Sequence, residues 1–240
     1  MDFSAQRRKI LLIGFVSAWV TILCFLVLAI FWQSSFPPEE IKISNQTESS
    51  LAISWVSQKP IRPTVYYSHQ SINLAGLLLS KIFPFIFKPR FLTTSDDFGT
   101  ISSTTHHVTL KNLEPETEYY YLIFSNLHFY IKDRNDRLFP AAETTSPPET
   151  ISQPSPCYGK IMGFAEQLPD SPILVYILSQ DSLISAYTNT AGNWSLDLAN
   201  LRTKSLDSTL IVKAQGGQWG EKSLPLYIKE CQPAQTLMLE

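Results

Sequence analysis

The first part of the chain is continuously apolar, whereas the rest alternates between short apolar and polar stretches. Residues 10–32 contain no charged side chain. A helix of that length, at about 1.5 Å per residue, extends about 34 Å and can cross a hydrocarbon core of about 30 Å. The pattern predicts a single transmembrane helix over residues 10–32.

The charges that flank this segment predict its orientation. Arg7, Arg8 and Lys9 precede it, and Glu39 and Glu40 follow it. Because positive charges favour the cytoplasmic side, residues 1–9 are expected in the cytoplasm and the remainder outside the cell membrane. One alternative is a cleaved secretory signal peptide, although its apolar region is normally only about 7–15 residues long. The other is a buried helix of a soluble domain.

A second apolar run covers residues 72–92, but it does not qualify as a second membrane span. Lys81 lies near its middle, and Pro84, Lys88 and Arg90 follow. A central lysine is unfavourable by roughly 2.5–3.5 kcal/mol on membrane-insertion scales. We therefore interpret the run as an insertion in an external domain.

Within this insertion, Leu74, Leu77, Leu78 and Ile82 follow helical spacing. The spacing predicts a short amphipathic helix that ends before Pro84. We expect it to pack against the surrounding domain or its neighbour. Insertion into lipid and an exposed partner site are the alternatives.

The remaining sequence predicts β-strands. In SLAISWV, Leu51, Ile53 and Trp55 alternate with Ala52 and Ser54, as in a strand with one buried face. At least six short strands are expected after residue 157. Between the two halves, residues 146–156 are rich in proline and predict an extended linker. The fold class is therefore an all-β external region with two β-sandwich domains.

The first half carries a motif around a tight turn: Leu113, Pro115, Thr117 and Tyr119 stand at every second position. This spacing resembles the corner between strands E and F of fibronectin type III domains, and Trp55 on the second strand agrees with that family. The resemblance covers residues 37–147, with the insertion at 72–92. It is nearest to the module that precedes the catalytic domain of purple acid phosphatases and that also occurs alone in bacterial surface proteins. It implies that the Tyr119 hydroxyl bonds to backbone a few residues upstream.

The second half resembles another family of β-sandwiches over residues 157–240. Its sequence YTNTAGNW, with Gly192 at the turn, is similar to carboxypeptidase-regulatory-like, Cna-B-like and transthyretin-like modules. The resemblance implies a stalk or spacer without chemistry of its own. Asn189 stands where many relatives have an acid, which argues against a calcium site.

The chain has three cysteines and a net charge of −2, which bear on its disulfide bonds and on its partners. Cys24 lies in the predicted membrane helix, which leaves Cys157 and Cys231 as a candidate disulfide in an oxidising compartment. Because lysine and arginine are scattered and the chain is nearly neutral, nucleic acid is not an expected partner.

No arrangement in the sequence predicts catalysis, a cofactor or a metal. The metal-binding motifs of the phosphatases are missing, and so is a Gly-x-Ser-x-Gly nucleophile motif. His106 and His107 are adjacent on a strand, so they point to opposite faces and cannot share a metal. We expect one exposed and one partly covered imidazole. Four aspartates are interpreted as solvated loop residues: Asp96, Asp97, Asp133 and Asp136.

These patterns together predict a non-enzymatic, single-pass membrane protein. Its two β-sandwich modules would face the cell exterior and bind a protein or cell-envelope partner. The alternative function is an accessory, non-catalytic subunit of a membrane-bound enzyme or secretion assembly.

Overall fold

The computed structural model describes residues 14–22, 36–72, 76, 91–99, 101–148, 153–163, 167–168, 170–180, 182–201 and 209–239. It divides into two compact units, Met1–Ser35 and Phe36–Glu240. In the first unit, residues 14–22 are helical. The described parts of the chain contain no helix with the length and apolarity that a membrane crossing requires. Most of the predicted transmembrane segment 10–32 and most of the insertion 72–92 lie outside the described residues.

The first half of the larger unit is a sandwich of two antiparallel sheets, which we call the first module. One sheet has the order β1-β2-β5, and the other has the order β4-β3-β6-β7, with β8 paired to β6. The strands are β1 (Glu39–Ser44), β2 (Ser50–Ile61), β3 (Thr64–Ser68), β4 (Leu92–Ser95), β5 (Ser103–Lys111), β6 (Glu118–Ser125), β7 (His128–Tyr130) and β8 (Ala142–Glu143).

The core of this module lies between its two sheets. Leu51, Ile53 and Trp55 of β2 point into it, as the alternation in the sequence predicted, and meet Tyr119 and Ile123 of β6. The side chains on the other face of β2 therefore point away from this core.

The second half is another sandwich, the second module. Its sheets have the orders β11-β10-β13-β14 and β12-β9-β15, and β15 pairs with β9 in parallel. The strands are β9 (Pro156–Met162), β10 (Leu174–Leu178), β11 (Leu183–Tyr187), β12 (Asn193–Asp197), β13 (Thr209–Gln215), β14 (Glu221–Tyr227) and β15 (Leu237–Met238). Cys157 on β9 is bonded to Cys231, with 4.6 Å between the Cα atoms.

The two modules stack face to face and so form four layers of sheet. Ala52 and Ser54 point out of the first core, and Leu174 and Tyr176 point out of the second, yet all four side chains are fully buried. The Tyr176 hydroxyl donates a hydrogen bond to Ser54 Oγ at 2.9 Å across the boundary. The expectation that β2 buries only one face is therefore wrong, because the second module covers its other face.

Candidate functional site: a buried interface and its adjoining cleft

Small side chains on β2 allow the inner sheets of the two modules to approach closely. Tyr176 lies opposite Ser54, and the Lys42 ammonium lies over its ring, 4.2 Å from the centroid. Burial raises the pKa of Tyr176, so its hydroxyl remains protonated and can donate. We call the contact between these sheets the inter-module interface.

His106 points into the first module and is fully buried. Its ring stacks on Trp55 with 5.0 Å between centroids. Its Nδ1 lies 2.9 Å from Asp96 Oδ2, and its Nε2 lies 2.9 Å from Ser57 Oγ. Both ring nitrogens are therefore used inside the protein.

His107 points in the opposite direction, towards the second module. Its Nδ1 lies 2.8 Å from Asp97 Oδ2, and its Nε2 lies 2.9 Å from Ser185 Oγ on β11. Ser185 Oγ is in turn 2.6 Å from Ser44 Oγ on β1. This chain of polar groups crosses the interface and joins the edges of the two inner sheets.

The carboxylate of Asp97 has several hydrogen-bond donors. Burial alone would raise its pKa, but hydrogen bonds from His107 and from the hydroxyl and backbone of Thr109 hold the pKa below the ordinary value. Asp97 therefore carries a negative charge beside the His107 ring.

Asp96 connects the modules through a tyrosine. Its Oδ1 accepts a hydrogen bond from the Phe98 N–H at 3.0 Å and lies 3.1 Å from the Tyr187 hydroxyl of the second module. The same hydroxyl is 2.8 Å from the carbonyl oxygen of Thr105. Burial, followed by the nearby Asp96 carboxylate, raises the pKa of Tyr187 and keeps this donor protonated.

The structure corrects the expectation for the histidines and for one aspartate. One imidazole was expected to be exposed and the other partly covered. His106 and His107 are instead 0% and 5% exposed, so both imidazoles are buried. Asp96 is buried as well and is not a solvated loop acid. The sequence did contain a signal, because each histidine follows its aspartate by the same ten residues.

The two histidines complete two chains of serine, histidine and aspartate, the residue types of a hydrolytic triad. In both chains the serine is buried and its hydroxyl has a second partner: the Lys59 carbonyl for Ser57 at 2.8 Å, and Ser44 for Ser185. Such hydroxyls are positioned to join structural elements. The described residues also contain no group of three or more His, Cys, Asp or Glu side chains that could hold a metal ion.

A cleft of about 420 Å³ opens beside the interface. The first module contributes residues of β1, β2 and β5 to its lining, and the second contributes the turn between β13 and β14. Among the lining residues, Glu39 pairs with Arg134 at 2.9 Å, and Glu221 pairs with Lys213 at 2.6 Å. Burial would raise the pKa of Glu40, but a hydrogen bond from Gln215 and the charges of Lys42 and Lys213 lower it below the ordinary value.

The residues that the sequence singled out lie elsewhere and are structural. The Tyr119 hydroxyl accepts a hydrogen bond from the Glu114 N–H at 2.9 Å, which is the upstream contact that the resemblance implied. Leu113 packs in the first core with Trp55, and the Pro115 carbonyl accepts from the Thr117 hydroxyl at 2.8 Å. None of these side chains lies in the inter-module interface.

A comparison with known protein families finds a match in the first module. Residues 38–130 match the family described as purple acid phosphatase, N-terminal domain. The comparison with curated protein sequences gave no match.

Several solved structures are similar to the chain at a low level. The sensor domain of the anti-sigma factor RsgI4 of Pseudobacteroides cellulosolvens has 15% identity and a TM-score of 0.29, over 50% of this chain and 98% of that chain. The FN1–FN3 domains of chicken CNTN1 have 14% identity and a TM-score of 0.27, over 80% of this chain and 65% of that chain, which is less than two thirds of its length. The major pilin subunit of Bacillus cereus has 9% identity and a TM-score of 0.24, over 87% of this chain and 70% of that chain. The described residues after 35 thus form two stacked β-sandwiches, and the first of these is similar in sequence, over residues 38–130, to the phosphatase N-terminal domain.

Proposed function

We propose that the chain is a non-enzymatic, single-pass membrane protein of the cell surface. Its two modules form one rigid body that binds a protein or cell-envelope partner. The observation that carries this proposal is the inter-module interface. There, serine, histidine and aspartate, the residue types of a catalytic triad, hold the inner sheets together.

The burial of the serine hydroxyls supports the non-enzymatic part of the proposal. In a hydrolytic triad the histidine also contacts a serine and an aspartate, but the serine must be open to the substrate. Ser57 and Ser185 are 6% and 2% exposed, and their hydroxyls contact the Lys59 carbonyl and Ser44 as well. A substrate would have to displace these protein groups to reach either hydroxyl.

The surface location is supported by sequence and by cysteine chemistry. The apolar segment 10–32, with Arg7, Arg8 and Lys9 before it, favours an anchor with its N-terminus in the cytoplasm. A disulfide such as that between Cys157 and Cys231 persists in oxidising compartments, which lie outside the cytoplasm.

Protease treatment of intact cells or spheroplasts tests the location. We expect added protease to remove both modules from the cell while a cytoplasmic control protein survives. Protection of the modules until the membrane is disrupted would contradict the proposed orientation.

Crosslinking on intact cells, followed by purification of the full-length chain in detergent, tests the interaction role. Recovery of an envelope component or a surface protein supports the proposal. If the chain is instead recovered each time with the subunits of one membrane enzyme, the result would favour the alternative role as an accessory subunit. The match to the phosphatase N-terminal domain provides a precedent for a non-catalytic module beside an enzyme.

A further inference from the structure

We infer that the chain forms a symmetric dimer, in which the free edge of β12 pairs with the same edge of a second copy. This inference goes beyond the proposed function and does not depend on it, since it rests on the backbone and side chains of one strand. β12 (Asn193–Asp197) lies at the end of its sheet, whose order is β12-β9-β15. An edge strand presents N–H and carbonyl groups along its outer side, and these groups can pair with another chain.

The hydrogen bonds between β9 and β12 show which backbone groups of β12 point outwards. At one end of the two strands the Ile161 N–H donates to the Gly192 carbonyl, and at the other end the Leu198 N–H donates to the Ser155 carbonyl, both at 2.8 Å. Hydrogen-bonded and non-hydrogen-bonded residue pairs alternate between antiparallel strands. The even-numbered residues of β12 therefore bond to β9, and the backbone groups of its odd-numbered residues face away from the sheet.

Two of these outward-facing residues are open to a second strand. Asn193 is closed, because its N–H donates to Asn189 Oδ1 at 3.0 Å and its carbonyl accepts from the Asn189 N–H at 2.8 Å. Ser195 and Asp197 are exposed, and within the described residues no group bonds to the Ser195 N–H, the Ser195 carbonyl or the Asp197 N–H. The Asp197 carbonyl accepts the first bond of the short helix Leu198–Asn200 and can accept one more. Four backbone groups are thus available on this edge.

Two other edges of the stacked sheets are closed within one copy of the chain. On β11, the Asn45 side chain bonds to both backbone groups of Ser185, at 2.8 Å each. On β5, the Thr105 carbonyl accepts from the Tyr187 hydroxyl at 2.8 Å. The open groups of β12 face solvent instead, so this edge can receive a strand from another chain.

An antiparallel second copy that is aligned at Leu196 matches all four open groups. Ser195 then lies opposite Asp197 of the second copy, so each N–H meets a carbonyl, and two-fold symmetry repeats the pair. The side chains match as well, because the Ser195 hydroxyl can donate to that carboxylate. Asp197 Oδ1 accepts from the backbone N–H groups of Ser155 and Ala199, and Oδ2 can accept the hydroxyl.

The same kind of pairing is disfavoured at the edge strand β14. Its outward-facing residues include Pro225, which has no N–H, and Tyr227, whose N–H donates to Glu230 at 3.0 Å. The rest of the strand would align two copies at Lys222, where like charges would lie directly opposite each other. β12 contains neither proline nor lysine, so its edge suits the pairing of two copies better.

Sedimentation equilibrium of the full-length chain in detergent measures the dimer. We expect a concentration-dependent dimer with a Kd of about 100 µM or tighter. Ser195→Asp places a carboxylate opposite Asp197 of the second copy at two symmetric positions, so it should weaken the dimer by about tenfold. Ser195→Lys places a cation there and should leave the dimer as strong as in the wild type or stronger. Ser223→Asp, the same change at an exposed position of the β14 edge, should leave the Kd unchanged.

Carbodiimide coupling, which joins an amine to a carboxylate, tests the residue pairing itself. In Ser195→Lys the new amine would lie beside Asp197 of the second copy, so coupling should give more covalent dimer than in the wild type. Adding Asp197→Asn removes the carboxylate but keeps an oxygen that accepts from Ser155 and Ala199. The double variant should therefore lose the gain in covalent dimer.

Several results would overturn the inference. One is a chain that stays monomeric at every concentration up to about 1 mM. A dimer that Ser195→Asp does not weaken would place the contact elsewhere, and equal weakening by Ser195→Lys would exclude the pairing with Asp197. A yield of covalent dimer that does not depend on Asp197 would exclude it too. Because Ser195 is exposed, its variants should melt at the wild-type temperature, so a change in the dimer is not a change in folding.

Discussion

At the scale of single residues, position on a strand decides what a polar side chain does. His106 and His107 are neighbours in sequence, but one stacks on Trp55 in the first core and the other reaches Ser185 of the second module. Alternation along the strand produces this division. The sequence did not identify Trp55 or Ser185 as the partner of a histidine, because both are distant along the chain. Ser185, for example, lies 78 residues from His107.

Asp97 gives a prediction about pH. Its folded-state pKa is lowered from 3.8, so the folded protein keeps the charge that the unfolded chain loses first on acidification. Its contribution to stability is therefore complete above the ordinary pKa and is lost as pH falls through the folded-state value. Asp97→Asn should lower the free energy of unfolding at neutral pH, and the difference from the wild type should shrink as the pH falls below the ordinary value of 3.8.

Urea denaturation of both proteins across this pH range measures the difference. Asp136→Asn is a suitable control, because that carboxylate is exposed and its ion pair with Lys132 lies at the surface. A difference between wild type and Asp97→Asn that is constant with pH would show that the charge of Asp97 does not stabilise the fold.

Tyr119 provides a test of the turn that the sequence identified. Tyr119→Phe keeps the ring and removes the acceptor of the Glu114 N–H. We expect a loss of about 1–3 kcal/mol in the free energy of unfolding, because a partly buried donor is left without its partner. Tyr120→Phe should have a much smaller effect, since that hydroxyl contacts Glu118 in solvent. Equal effects in chemical denaturation would contradict the assigned register.

At the scale of elements, the sequences of some strands indicate that both faces are buried, whereas the sequences of others indicate burial of one face alone. The run SPILVYILS has no polar alternation, which is typical of a strand buried on both sides, and β10 is such a strand. In β2, the second face carries Ala52 and Ser54. Small residues of this kind occur both on solvated surfaces and where two sheets pack closely, so the sequence did not show that this face is buried. The partner face could not be deduced, since Tyr176 and Ser54 are separated by 122 residues in sequence.

The small side chain of Ser54 is therefore expected to be essential for stacking. Ser54→Arg places a long charged group where the inner sheets touch, and both overpacking and burial of an unpaired charge oppose the contact. We expect the modules to separate and to melt in two steps by calorimetry. Ser195→Arg, at an exposed position on β12 of the second module, should leave the melting profile unchanged. A single transition near the wild-type temperature in Ser54→Arg would contradict this account of the interface.

At the scale of the whole molecule, one apolar surface adjoins the predicted insertion. The outer face of the sheet β4-β3-β6-β7 carries the rings of Tyr66, Phe124 and Phe129, which contact one another. Leu122, opposite Tyr66 on this face, is fully buried. The chain enters the insertion after β3 and returns at β4, which pairs with β3, so both of its ends lie beside this face.

This proximity gives a physical reason for the sequence-based expectation that the insertion packs on the protein. Replacing residues 72–90 with a short polar turn should then expose the aromatic face and lower the melting temperature of the full chain in detergent, because apolar surface returns to water. Liposome binding measured on the same variant distinguishes the alternatives. If stability is unchanged while binding of the wild type to liposomes is lost in the variant, the insertion acts on lipid. If both stability and liposome binding are unchanged, the insertion is an exposed partner site, and crosslinking on cells should lose its products when residues 72–90 are replaced.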